Sequence, residues 1–382
     1  MLKCLCLQNF VSHYRRRLFE LLSRSDEIHF TIASDNQSES TGIEVANLKT
    51  SNIRWKFCAS KTLPRSSFYW HPQFMKLACE EKPDAVVTIG NPYVLTSWAL
   101  LLWGKVTSTP IILWTHGLLG PESGFRAYIR LHFYRLASAL LLYGDHAKTL
   151  LANAGIDPRR MFVIYNSLDS ENQEQYLREV TPSDINDFRS KIGILAGERA
   201  VIFSGRLQTN KKLGALLDAV GILCTRELTV HVVFIGDGQE KSALAEQSDK
   251  LGIASQVHFL GESYDERVIA TAFMASDLSV IPSGAGLSVM HALGYGVPVL
   301  LHDRPHEHFP EWEAIREGET GFFYRYGDTN DMADKIEAAL FPTSQKETMT
   351  ERCLSMIRSR YNASAHSEAI ISAVKQVVER KR

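Results

Sequence analysis

The feature that most restricts the fold of this chain is a rhythm: short apolar runs of strand length, separated by longer stretches with helical spacing. Residues 2–7, 28–33, 85–89, 111–114, 139–143 and 161–164 are such runs, and amphipathic patterns lie between several of them, as at 15–22 and 124–136. The rhythm pauses over the polar residues 166–184 and then resumes at 200–204, 230–235, 257–260, 278–282 and 297–301. Helices are expected here over 212–225, 239–251, 265–275, 287–294 and 331–340. Strands alternating with helices imply βαβ units and parallel sheets covered on both faces. The expected fold class is therefore α/β with two doubly wound, Rossmann-like domains.

At 382 residues the chain exceeds one ordinary core of about 100–200 residues. The expected division is an N-terminal domain over 1–169, a linker over 170–184 and a second domain over 185–362. The amphipathic run 363–382 reads as a last helix able to return to the first domain. Hydrophobic residues make up 45% and charged residues 22%, a globular balance rather than a disordered one.

Lys+Arg 42 against Asp+Glu 43 leaves a net charge of −1, so the whole chain lacks the basic footprint that nucleic acid demands. The charge is uneven: residues 1–169 carry 19 basic and 13 acidic side chains, the remainder 23 and 30. A positive half can meet an anionic surface. Six cysteines (Cys4, Cys6, Cys58, Cys79, Cys224, Cys353) form no CxxC pair, which supports neither a zinc nor a disulfide framework and fits a reducing compartment. The most apolar stretch, residues 94–103, is broken by Gly104 and Lys105, short of the roughly 20 residues a membrane helix needs. A cytoplasmic protein is expected.

In doubly wound sheets, ligands bind beyond the carboxyl ends of the strands. The strand at 200–204 runs into Gly205-Arg206-Leu207 and then Lys211 and Lys212. Gly205 permits close backbone approach, Arg206 offers a planar fork and Lys211 a point charge, a combination suited to a diphosphate. The next strands end in Gly236-Asp237-Gly238 and in Leu260-Gly261. The fourth ends in Ser283-Gly284-Ala285-Gly286-Leu287-Ser288, a glycine-rich passage into a helix whose amides and dipole favour an anion. In the first half, Trp114-Thr115-His116-Gly117 and Gly90-Asn91-Pro92 are further polar strand ends.

In ordered succession these segments resemble the retaining glycosyltransferases of family 4, which have the GT-B fold of two Rossmann-like domains facing a central cleft. Gly205-Arg206-Leu207 with Lys211 is similar to that family's phosphate-binding motif. Gly236-Asp237-Gly238 resembles its GDG turn, and residues 257–261 its loop beside the base. Residues 163–169 resemble the signature closing the first domain, and residues 294–299 the A.G.PVV motif. The resemblance implies a nucleotide-diphospho-sugar donor, a UDP-sugar by default, held by Gly205, Gly236, Asp237, Gly238, Leu260, Gly261, Ser283, Gly284, Gly286, Leu287, Ser288 and His291. It implies leaving-group stabilisation by Arg206 and Lys211, and His116 facing the donor sugar. Front-face attack, with the departing phosphate taking the acceptor proton, would need neither a protein nucleophile nor a metal, and no DxD triplet is present. No cofactor is expected.

Two departures stand out. Aligned on Gly286-Leu287, the family's two glutamates, eight residues apart, are here Ser283 and His291. A neutral His291 can accept one hydrogen bond from a ribose but lacks a carboxylate's second oxygen; Glu311 and Glu313 are candidates for a replacement carboxylate. The first strand is followed by residues 8–15 (QNFVSHYR) rather than a double glycine.

Arg15-Arg16-Arg17, Lys61, Arg65 and residues 68–70, together with Arg126, Arg130 and Arg135 beside Phe125, Tyr128 and Phe133, mix cations with aromatics, as an anionic membrane interface would want. By resemblance, the acceptor is a glycan or lipid-linked oligosaccharide of surface polysaccharide synthesis, met at the inner face of the cytoplasmic membrane. Two other readings stay open: a GT-B-type sugar-nucleotide epimerase, and a nucleotide-binding scaffold that has lost transfer.

Overall fold

The structure, a computed structural model, describes residues 1–37, 45–48, 52–62, 67–341 and 346–381; Arg65 lies outside them. The chain divides into two compact units, residues 1–169 with 360–382, and residues 170–359.

The first unit contains β1 (Leu2–Phe10), β2 (Ile28–Asp35), β3 (Trp55–Phe57), β4 (Lys61–Thr62), β5 (Tyr69–Trp70), β6 (Ala85–Ile89), β7 (Ile111–Thr115), β8 (Ala139–Leu142) and β9 (Met161–Val163). Seven of these form a parallel sheet ordered β3-β2-β1-β6-β7-β8-β9, while β4 and β5 make a small antiparallel pair. Its strands are apolar on both faces because both faces are covered. Cys4 and Cys6, two apart on β1, share one face with Phe30, Ile32, Val87 and Leu141. Leu5, Leu7, Val86 and Leu113 fill the other with Phe74, Leu100 and Phe133. The helix Ala363–Glu379 lays Ile370, Ala373, Val374 and Val377 into the first of these cores.

The second unit contains β10 (Arg199–Ser204), β11 (Val230–Ile235), β12 (Val257–Gly261), β13 (Leu278–Val280), β14 (Val299–His302) and β15 (Gly321–Tyr324), all parallel and ordered β12-β11-β10-β13-β14-β15. In each sheet the order reverses beside the unit's first strand, next to β1 and next to β10. Such a switch point opens a crevice at the strand ends.

One boundary differs from expectation. Residues 170–184 are no linker: they form the helix Ser170–Glu179 and the first turn of Pro182–Lys191, both in the second unit. Helix Ser170–Glu179 buries only Gln173, so it shows no apolar stripe. The second helix starts at a reciprocal capping box, in which Thr181 accepts from the Asp184 amide and Asp184 from the Thr181 amide. The returning segment begins at Arg360 rather than at residue 363.

Candidate functional site

In the second unit, backbone hydrogen bonds stitch three strand ends together. The Gly205 amide donates to the Ile235 carbonyl at 2.9 Å, Leu207 to Asp237 at 3.0 Å, and Gly236 to Gly261 at 2.8 Å. The approach is so close that a Cβ on Gly236 would lie 2.0 Å from the Gly205 oxygen, and one on Gly238 2.3 Å from the Leu207 oxygen. Asp237 turns its carboxylate to the Gly238 amide at 2.7 Å and to Lys241 at 3.4 Å, both of which hold its pKa down. The Gly-Asp-Gly turn therefore sets the shape of this edge through its backbone.

Lys211 ends the 3-10 turn Thr209–Lys211 and is half-buried; Lys212 follows in the left-handed region at φ 53° and begins the next helix. The Lys211 ammonium donates to the Gly284 carbonyl at 2.7 Å, and burial lowers its pKa. Gly284 has φ +60°, and a Cβ there would stand 3.2 Å from the Lys211 nitrogen. Gly286 caps the helix Leu287–Gly294, with Leu287 and Ser288 in its first turn and Ser283 buried before it. Arg206 is exposed at the tip of the β10 loop. Arg206, Lys211, Gly205, Gly236–Gly238, Leu260, Gly261 and the loop 283–288 thus line one sheet edge around the switch point. His291 lies on the helix Leu287–Gly294, half-buried and edge-on to Phe273 with centroids 6.3 Å apart.

Not every amide of the glycine-rich loop is open to an anion. The Ala285 amide donates to His308 Nδ1 at 3.2 Å, while His308 Nε2–H donates to the His302 carbonyl at 3.1 Å. This pattern requires neutral His308. Burial pushes its pKa down to about 4, and that of His302, whose ring stacks on it at 4.0 Å, to about 3. His308 buckles the loop to β14, and no motif in the sequence marks it. Phe309 continues the clasp, donating its amide to the Ala285 carbonyl at 2.7 Å. Glu311 follows in the turn Pro310–Ala314, buried at 4% exposure.

The first unit has its own strand-end pocket, about 470 Å³, at the β1/β6 switch point. The Gly90 amide donates to the Trp114 carbonyl at 2.8 Å, and a Cβ on Gly90 would meet Thr115 at 2.5 Å. Thr115 Oγ1 accepts the Gly117 amide at 3.1 Å and lies 3.0 Å from the Tyr134 hydroxyl, which anchors the turn carrying His116. His116 opens onto the pocket, its ring 4.6 Å from that of Tyr143. Its pKa is lowered, first by its recessed setting and then by Arg15. Arg15 donates to the Tyr143 hydroxyl at 2.6 Å, with its guanidinium 5.4 Å from the ring centres of both Trp114 and Tyr143.

Of the triple arginine, Arg15 thus turns into the pocket, while Arg16 and Arg17 pair with Glu20 at 2.9 and 3.7 Å. The helix Gly124–Leu136 divides its aromatics: Phe133 is buried, whereas Phe125 and Tyr128 are 75% and 62% exposed. No described helix is long and apolar enough to cross a membrane. No group of three or more His, Cys, Asp or Glu side chains among the described residues could hold a metal ion.

Two parallel doubly wound sheets with polar strand ends define the GT-B architecture. Residues 14–172 match the family model "Glycosyltransferase Family 4", and residues 198–341 match "Glycosyl transferases group 1". With both halves matched over most of its length, the chain belongs to the family 4 glycosyltransferases of GT-B fold. A D-inositol 3-phosphate glycosyltransferase of Rhodococcus erythropolis is 32% identical over 205 residues, covering 51% of this chain and 43% of that protein. An alpha-monoglucosyldiacylglycerol synthase of Streptococcus pneumoniae is 28% identical over 202 residues, covering 51% and 44%. The chain thus matches less than half the length of these relatives. Among solved structures, Anabaena HepE in complex with UDP has a TM-score of 0.73 at 19% identity, covering 98% of this chain and 100% of that one. The apo lipopolysaccharide outer core galactosyltransferase WaaB has a TM-score of 0.71 at 16% identity, covering 98% and 99%.

Proposed function

We propose that this protein transfers a sugar, with retention of configuration, from a UDP-sugar to a glycan or lipid-linked acceptor in surface polysaccharide synthesis. The observation that carries the reading is Lys211, a part-buried ammonium held between the β10 and β13 loops at 2.7 Å from the Gly284 carbonyl. A cation seated at a switch point, beside the amide-rich start of a helix, suits a departing diphosphate. In the transfer, the bond from the sugar's anomeric carbon to the diphosphate oxygen breaks. The acceptor oxygen bonds to that carbon, and its proton passes to the leaving phosphate. Lys211 and Arg206, with the Gly284, Gly286 and Leu287 amides, stabilise the developing charge. No metal or cofactor is called for in this scheme.

UDP as the nucleotide draws support from the Anabaena neighbour, solved with UDP-glucose as well as with UDP. Exposed Phe125 and Tyr128 beside exposed Arg126 support a peripheral attachment to an anionic membrane on its cytoplasmic side. The test is a thermal-shift screen over UDP-, GDP- and other nucleotide sugars, followed by donor-hydrolysis and transfer assays. Stabilisation by UDP-sugars with turnover is expected. Binding without turnover would mark a scaffold, and a change of sugar without acceptor would mark an epimerase.

A further inference from the structure

The pocket of the first unit holds a second message, which rests on the transfer reading above. Among the described residues its lining includes two guanidinium groups, Arg15 and Arg130, and no carboxylate. The amides of Gln8, Asn9 and Asn91, the ring of His116 and several hydroxyl-bearing residues, Ser12 and Thr115 among them, add to the polar part of the wall. Neither arginine is a loose surface cation. Tyr143 and Trp114 hold Arg15, while Glu122 meets Arg130 at its Nε edge, 3.2 Å away. A guanidinium fixed in this way presents a preorganised fork to oxygen atoms. Its charge-assisted hydrogen bonds to an anion are roughly twice as strong as neutral ones.

The surrounding field has the same sign. Residues 1–169 carry 19 basic and 13 acidic side chains, and the returning residues 360–382 add five and two. Such a unit concentrates anions at its clefts. Both arginines line the cavity while keeping Tyr143 and Glu122 as partners, and so add cationic donors to a wall whose amides and hydroxyl groups already serve a neutral sugar.

We propose that this pocket receives the acceptor, and that the acceptor carries an anionic group, phosphate or carboxylate, next to the hydroxyl that takes the new glycosidic bond. A volume of about 470 Å³ admits one charged sugar or polyol, and the rest of a longer acceptor extends outside.

The experiment is calorimetric titration of the full chain, saturated with UDP, using three probes that share one ring: glucose 6-phosphate, glucuronate and glucose. At least one charged probe should bind at least tenfold tighter than glucose, and which one does identifies the anion. Arg15→Gln and Arg130→Gln should each weaken that probe at least fivefold. Should Arg15→Gln fail to fold, Arg130→Gln, on the helix surface, carries the test alone. Equal binding of all three probes, no binding of any, or indifference to both substitutions overturns the proposal. So does loss of the charged probe when UDP is added, which would give the anion site to the donor. A wild-type protein that does not bind UDP at all would instead sink the transfer reading.

Discussion

Lys211 and Gly284, 73 residues apart in sequence, meet across the switch point of the second sheet: the ammonium donates to the carbonyl at 2.7 Å. The contact joins the loop after β10 to the loop after β13 and leaves a half-buried cation at the mouth of a crevice. A carbonyl neutralises none of that charge. An entering diphosphate would.

Lys211→Met removes the charge while keeping most of the side chain's length. UDP affinity is expected to fall by roughly tenfold or more, in line with about 1.5–3 kcal/mol for a hydrogen bond to a charged group. Arg206→Ala, at an exposed site, should cost less. Calorimetric titration with UDP measures both, and unchanged affinity in the Lys211 variant would contradict the proposed diphosphate seat.

Burial lowers the Lys211 pKa, because removal from water penalises the charged form. A bound diphosphate favours that form and pushes the pKa back up. At alkaline pH, therefore, UDP binding should be accompanied by proton uptake at Lys211. Titrations in buffers of different ionisation enthalpy read this directly: the apparent enthalpy should vary with the buffer in the wild type and stop varying in Lys211→Met.

Gly236→Ala puts a methyl group onto the Gly205 carbonyl, 2.0 Å away, where only backbone movement could relieve it. The loss of stability should reach at least about 3 kcal/mol. Gly252→Ala is the control: its φ is +70° but nothing lies within 4 Å of the new carbon, so the cost should be the left-handed strain alone, about 1–2 kcal/mol. Urea denaturation of the two variants side by side decides the matter, and similar losses would mean the close approach is not rigid.

Most strands of the two sheets, β3 and β15 excepted, are legible in the sequence because each is a short, mainly apolar run, as in residues 85–89 and 230–235. What escapes has a physical reason. The helix Leu95–Thr107 is apolar almost all round, so no 3.6-residue stripe marks it. Strand β15 is four residues with Phe322 and Phe323 only part-buried. Helix Ser170–Glu179, mostly polar, is held by its place in the fold and by pairs such as Glu174 with Arg358, which a linear pattern cannot show. At the candidate site, the glycines and cations announce themselves through spacing. His308 does not: its role arises only where the Ala285 amide comes within 3.2 Å of its ring.

That buckle should make stability depend on pH. Neutral His308 accepts the Ala285 amide and His302 stacks against it, with folded-state pKa values of about 4 and about 3, while an unfolded histidine titrates near 6.5. Between pH 6.5 and 4 the unfolded chain therefore binds more protons than the folded one, and stability must fall as the pH is lowered through that window. Each fully linked group contributes at most about 1.4 kcal/mol per pH unit. Above pH 6.5 both states are deprotonated at these rings and the dependence vanishes. Other buried histidines, His71 among them, add to the same slope, so the variant isolates the buckle. His308→Asn keeps an oxygen able to accept the Ala285 amide but cannot be protonated. Its stability at pH 7.5 should stay close to wild type, with a shallower decline toward pH 4.5 in urea denaturation. An unchanged slope would show that His308 titrates normally in the folded protein and does not hold the loop in its neutral form.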